Sequence, residues 1–143
     1  MTAWIRGVHY EDNEALDRTI GGTPAPAEQL YATYLDPALH TAVTGAAVTV
    51  SPESGAPFLA FGGQISGATI SVIAPRLIVQ SWRSTNFRDA DPDSTLILAF
   101  APEGRHGRID LIHIDVPDQD YRGVSEGWEK YYWAPWKRYL GPL

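Results

Sequence analysis

In the run 108–116, His113 and Asp115 stand two residues apart. The alternating β-branched residues of that run predict a strand, and side chains two apart on a strand share a face. An imidazole beside a carboxylate suits a general base with its orienting partner, or two ligands of a metal ion. No third ligand has a readable spacing, so no metal, cofactor or catalytic residue is assigned. His113 is read instead as a hydrogen-bonded histidine of the core or of a pocket wall. Arg83 ends another strand run and could hold an anionic group with its fork of donors. The simpler reading is an ion pair with a nearby carboxylate. His9, His40 and His106 lie in terminal or loop contexts and are read as surface residues. The segment Gly63-Gln64-Ile65-Ser66-Gly67 lacks the spacing of a nucleophile elbow, and no Gly-x-x-x-x-Gly-Lys occurs.

The second chemical resource is aromatic. After Pro117 the pattern turns helical: at 100° per residue Tyr121, Val124, Trp128, Tyr131, Tyr132, Pro135 and Tyr139 fall on about a third of the circumference. Glu126, Glu129, Lys130, Lys137 and Arg138 fall largely elsewhere. This predicts one long amphipathic helix that Pro135 kinks or brings to its last turns. Trp133 and Trp136 lie off that face as spare aromatics, which leaves both a monomer and a homodimer open.

The elements that must position these groups follow from local pattern. Residues 1–13 show no clear period and are read as an N-terminal arm. A weak strand at 14–20 stops at Gly21-Gly22, and short helices follow at 26–35 and 38–43, broken by Asp36-Pro37 and ended by Gly45. Six β-branched or aromatic runs come next, at 47–51, 57–61, 64–74, 76–84, 94–101 and 108–116. Their connectors are short enough for hairpins, so the sheet should be mostly antiparallel. The apolar phase slips between Ile65 and Ala68, which places a bulge at Gly67. A single long helix cannot bury an aromatic face on itself, so it should lie across the concave face of the bulged sheet and leave a cleft. The expected architecture is α+β: a curved, mostly antiparallel sheet of about seven strands wrapped around a long C-terminal helix, with two short helices after strand 1. This is a helix-grip fold, expected as a single domain over residues 14–143.

Five stretches carry a family resemblance in order. They are Ala27-Glu28-Gln29-Leu30-Tyr31 with Leu35-Asp36-Pro37 and Val43-Thr44-Gly45; Phe61-Gly62-Gly63-Gln64-Ile65-Ser66-Gly67; Leu77-Ile78-Val79-Gln80-Ser81-Trp82-Arg83; Val116-Pro117; and Gly127-Trp128-Glu129-Lys130-Tyr131-Tyr132-Trp133. In these the sequence resembles the activator of heat-shock protein 90 ATPase homologue family, of the START-like (SRPBCC) superfamily. The resemblance implies a cavity between helix and sheet. Phe58, Phe61, Trp82, His113, Trp128, Tyr131 and Tyr132 are the candidate ligand-binding residues, since such pockets combine aromatic walls with a few polar groups. The expected function is non-catalytic binding of a hydrophobic or aromatic small molecule. The resemblance also implies two alternatives: a co-chaperone-like protein that meets heat-shock protein 90, or a cyclase- or hydratase-type enzyme using the same cavity with His113, Tyr132 and Arg83 as its polar groups.

Composition narrows the partners. Seventeen acidic against eleven basic side chains give a net charge of -6, and no segment gathers the Lys and Arg that nucleic acid requires. Without cysteine there is no disulfide, thiolate nucleophile or cysteine-held metal. Arg6 and His9 interrupt the only apolar start, so no signal peptide is read, and no run approaches the roughly 18 apolar residues of a membrane span. A cytoplasmic setting is expected.

Overall fold

In the computed structural model, residues 15–141 are described; the expected N-terminal arm and His9 lie outside them. The period-two runs form β1 (Leu16–Thr23), β2 (Val48–Thr49), β3 (Pro57–Ala60), β4 (Ile65–Ile73), β5 (Leu77–Ser84), β6 (Ser94–Glu103) and β7 (His106–Ile114). They make one seven-stranded sheet in the order β1-β7-β6-β5-β4-β3-β2, antiparallel at every pairing. Only β1 is displaced from chain order. After it, α1 (Ala27–Leu35) and α2 (Pro37–Thr44) carry the chain to the far edge, where β2 begins.

These two helices are too short to persist alone, and packing holds them. α1 buries Leu30, Tyr31, Tyr34 and Leu35, with the Tyr31 ring meeting Phe100 of β6 edge-on at 5.5 Å. Each such side chain contributes about 1.5–3 kcal/mol on burial. Asp36 ends α1 and caps α2, its carboxylate accepting from the amides of Ala38 and Leu39 at 2.9 and 3.1 Å. Gly45, left-handed at φ 80°, closes α2 as its sequence position implies.

Two strand details differ from expectation. β1 does not stop at Gly21: its pairing with β7 shifts between Ile20 and Thr23, and it resumes at Thr23, whose buried hydroxyl donates to the Gly107 carbonyl at 2.9 Å. The bulge in β4 falls not at Gly67 but at Ile70, because Thr69 pairs with Gln80 and Ser71 with Val79. Gly67 serves another need. A Cβ there would lie 1.9 Å from the Ser81 carbonyl oxygen of the neighbouring strand, so only glycine permits the approach.

The sheet curves around a continuous C-terminal helical run of 23 residues, the arrangement of a helix-grip fold. The run has three parts: α3 (Asp118–Gly127), a π-helical stretch Trp128–Trp133, and α4 (Ala134–Leu140). Pro135 has no N–H for the preceding turn and its ring crowds the carbonyl four residues back, which favours the wider turn just before it. The axis is therefore not broken at Pro135; the phase is shifted instead. Trp133 and Trp136, expected off the apolar face, are buried, while Tyr131 and Tyr139, expected on it, are about half exposed.

Candidate functional site

A cleft of about 240 Å3 opens between α3 and the π-helical stretch on one side and the adjoining ends of β4 and β5 on the other. Its walls are aromatic. Trp82 comes from β5, Phe61 from the turn between β3 and β4, and Trp128, Tyr131 and Tyr132 from the helix. Gly123 and Gly127 face it from α3, so the helix backbone itself forms part of the wall. The Phe61–Gly62–Gly63 turn holds three consecutive positive φ angles, of 53°, 66° and 88°. For Phe61, which is not glycine, that conformation costs about 1–2 kcal/mol. It sets the Phe61 ring 5.6 and 5.8 Å from those of Tyr131 and Tyr132.

One end of the cleft is polar. Asp120, in the first turn of α3 and 5% exposed, accepts from the Ser84 hydroxyl at 2.5 Å and from the Asn86 amide at 3.3 Å. Acidic residues in a first helical turn are common and favoured by the helix dipole, so the residue type alone does not mark Asp120 as part of a site. Its signal was only its spacing, four residues before Val124 and eight before Trp128, on the face that turns inward.

Five of the seven residues nominated from sequence line the cleft: Phe61, Trp82, Trp128, Tyr131 and Tyr132. Phe58 and His113 do not; both are fully buried beneath it. The Phe58 ring stacks 6.4 Å from Tyr34. His113 is enclosed by a complete hydrogen-bond chain. The Trp128 indole N–H donates to its Nδ1 at 3.1 Å, which leaves the proton on Nε2 to be given to Ser94 Oγ at 2.8 Å; Ser94 in turn donates to the Trp82 carbonyl at 2.6 Å. Burial lowers its pKa from 6.5 to about 3, so the ring is a neutral strut behind both tryptophans. Asp115 is not its partner: it lies past the end of β7, exposed, at φ 65°. The change of backbone conformation there ends the strand alternation on which the pairing depended.

His40 is likewise corrected. It is 2% exposed, with Nδ1–H donating to the Tyr34 carbonyl at 2.8 Å and Nε2 accepting from the Tyr132 hydroxyl at 3.1 Å. Burial lowers its pKa to about 4, against a smaller opposing effect of the bond to Tyr34. Burial also raises the Tyr132 phenol well above its ordinary value. His106 is half-buried rather than at the surface, with its Nδ1 enclosed. Arg83 makes the ion pair read from its position: its guanidinium donates to Asp93 at 2.6 Å and to the carbonyls of Arg88 and Asp91. It thereby fastens the acidic loop after β5 and does not line the cleft. Among the described residues no group of three or more His or carboxylate side chains is arranged to hold a metal, and no helix is long and apolar enough to cross a membrane.

A helix-grip domain with an aromatic cleft under its C-terminal helix is the class that fold and site define. The chain belongs to the family described as activator of Hsp90 ATPase homolog 1-like protein, whose model matches residues 24–141. It is 24% identical over 114 residues to the human activator of 90 kDa heat shock protein ATPase homolog 1, covering 80% of this chain and 33% of that protein. It thus spans about a third of that relative's length. A Dictyostelium discoideum homologue is 26% identical over 90 residues, covering 62% of this chain and 23% of its own. Among solved structures, an HSP90 activator from Plasmodium falciparum superposes with a TM-score of 0.75 at 20% identity, over 90% of this chain and 96% of that one. CalU16 from Micromonospora echinospora gives 0.70 at 21%, over 90% and 75%. At these identities the structural likeness speaks for the fold.

Proposed function

We propose that the protein binds a small, largely apolar aromatic molecule in the cleft beneath its C-terminal helix. The observation that carries this reading is the wall: five aromatic side chains from three separate elements converge on one open space, which a solidly filled core would not leave. At about 240 Å3 the space lies just under the ~300–1,000 Å3 usual for ligand sites, so the molecule is compact. Binding rather than turnover is favoured because the nominated base, His113, has both ring nitrogens engaged and is out of reach of the space.

The test is a titration of the labelled protein with compact aromatic compounds, followed by amide NMR, alongside Gly127→Leu. Gly127 has helical φ and ψ of -64° and -35°, and an added Cβ meets only the Tyr131 ring at 3.7 Å. The longer side chain occupies the cleft and leaves the fold intact. Saturable shifts at Trp82, Trp128 and Tyr132 that vanish in Gly127→Leu are expected. Shifts that persist in that variant, or none in the wild type, defeat the reading.

A second reading rests on the relatives: two of them are named as activators of the heat-shock protein 90 ATPase. In this reading docking would use a surface outside the cleft, and Gly127→Leu would leave it unchanged. Co-sedimentation with purified chaperone and its ATPase rate test this reading. Trp133 and Trp136, which left a homodimer open, are buried and carry no argument for one.

A further inference from the structure

Asp120 is the only acidic or basic side chain among the described residues lining the cleft. A carboxylate offers about four acceptor positions, and Ser84 and Asn86 occupy two. These two donors fix the group's orientation and leave it able to accept more. Trp82, Trp128 and Tyr132 line the same space, and aromatic faces attract cations. Lys130 does not line the space, although its ammonium lies 5.2 Å from the Tyr131 ring centroid.

From this juxtaposition we infer that the cleft selects a compact aromatic molecule carrying a protonated amine, the amine donating to Asp120 and the rings stacking on the tryptophan and tyrosine walls. The inference rests on the cleft being a ligand site and adds the charge of the ligand. A neutral molecule, even one whose hydroxyl donates to Asp120, brings no charge to offset the carboxylate, and an anion would meet the carboxylate directly. Both should bind more weakly than the amine.

Three probes of one shape separate the possibilities: naphthylethylamine, the neutral naphthylethanol and the anionic naphthylacetate, titrated calorimetrically into the full chain. The amine should bind about tenfold more tightly than the alcohol, with the acetate weakest. Asp120→Asn should bring the amine to the alcohol's affinity and leave the alcohol unchanged. Equal binding of amine and alcohol by the wild type overturns the charge selection while leaving the cleft as a ligand site; no binding of any of the three overturns both. Should the variant not fold, the ranking of the three probes on the wild type decides alone.

Discussion

Two histidines held neutral inside the protein make its stability depend on mild acid. His40 and His113 have folded-state pKa values near 4 and 3, against 6.5 when exposed. Between those limits the unfolded chain binds protons that the folded one refuses, so stability is complete above about pH 6.5 and falls as pH drops towards the folded values. At pH 5 each histidine takes up about 1.5 pH units of this difference, or roughly 2 kcal/mol, giving about 4 kcal/mol together. That is a large share of the 5–15 kcal/mol typical of a domain. Urea unfolding followed by circular dichroism at about pH 7 and pH 5 measures the difference directly. A free energy unchanged to within about 1 kcal/mol would mean that the imidazoles accept protons in the folded state, and the enclosure described for them would be wrong.

Other substitutions test separate parts of the account. Gly67→Ala forces a Cβ against the Ser81 carbonyl and should cost about 3 kcal/mol or more; an unchanged melting temperature would show that β4 and β5 are not so closely apposed. Tyr132→Phe keeps the cleft wall but leaves His40 Nε2 without its donor. A loss of about 1–2 kcal/mol in chemical denaturation is expected, with ligand affinity little changed.

The strands and helices were legible because their signals are local: alternation, turn residues, Asp36-Pro37 and Gly45 act within a few positions. What remained hidden depends on partners far along the chain. His40 looks like a surface residue, and contacts with Tyr34, Phe58 and Tyr132, the last of them 92 positions away, enclose it. Gly67 interrupts an apolar phase in the way a bulge does, yet its role is set by a carbonyl on the adjacent strand. Asp115 follows His113 at strand spacing, but the chain turns to a positive φ there, which no side-chain pattern announces. The cleft's aromatic wall was readable from the helix periodicity through Trp128, Tyr131 and Tyr132. Its polar end was not, because Ser84 and Asn86 resemble ordinary turn residues until the sheet brings them under α3.

The π-helical stretch also bears on which changes of length the chain tolerates. Asp120, Val124, Trp128, Tyr132 and Trp136 are all buried, one at every fourth residue from α3 through the stretch and into α4. Four residues of an α-helix overshoot a full turn by about 40°, and the wider turns of the stretch take up part of that drift. Removing a single residue between Trp128 and Trp133, with the winding of the helix otherwise unchanged, would rotate everything after it by about 100° and carry Trp136 towards water, although every remaining side chain kept its identity. Related sequences should therefore vary in composition across this segment far more readily than in residue count.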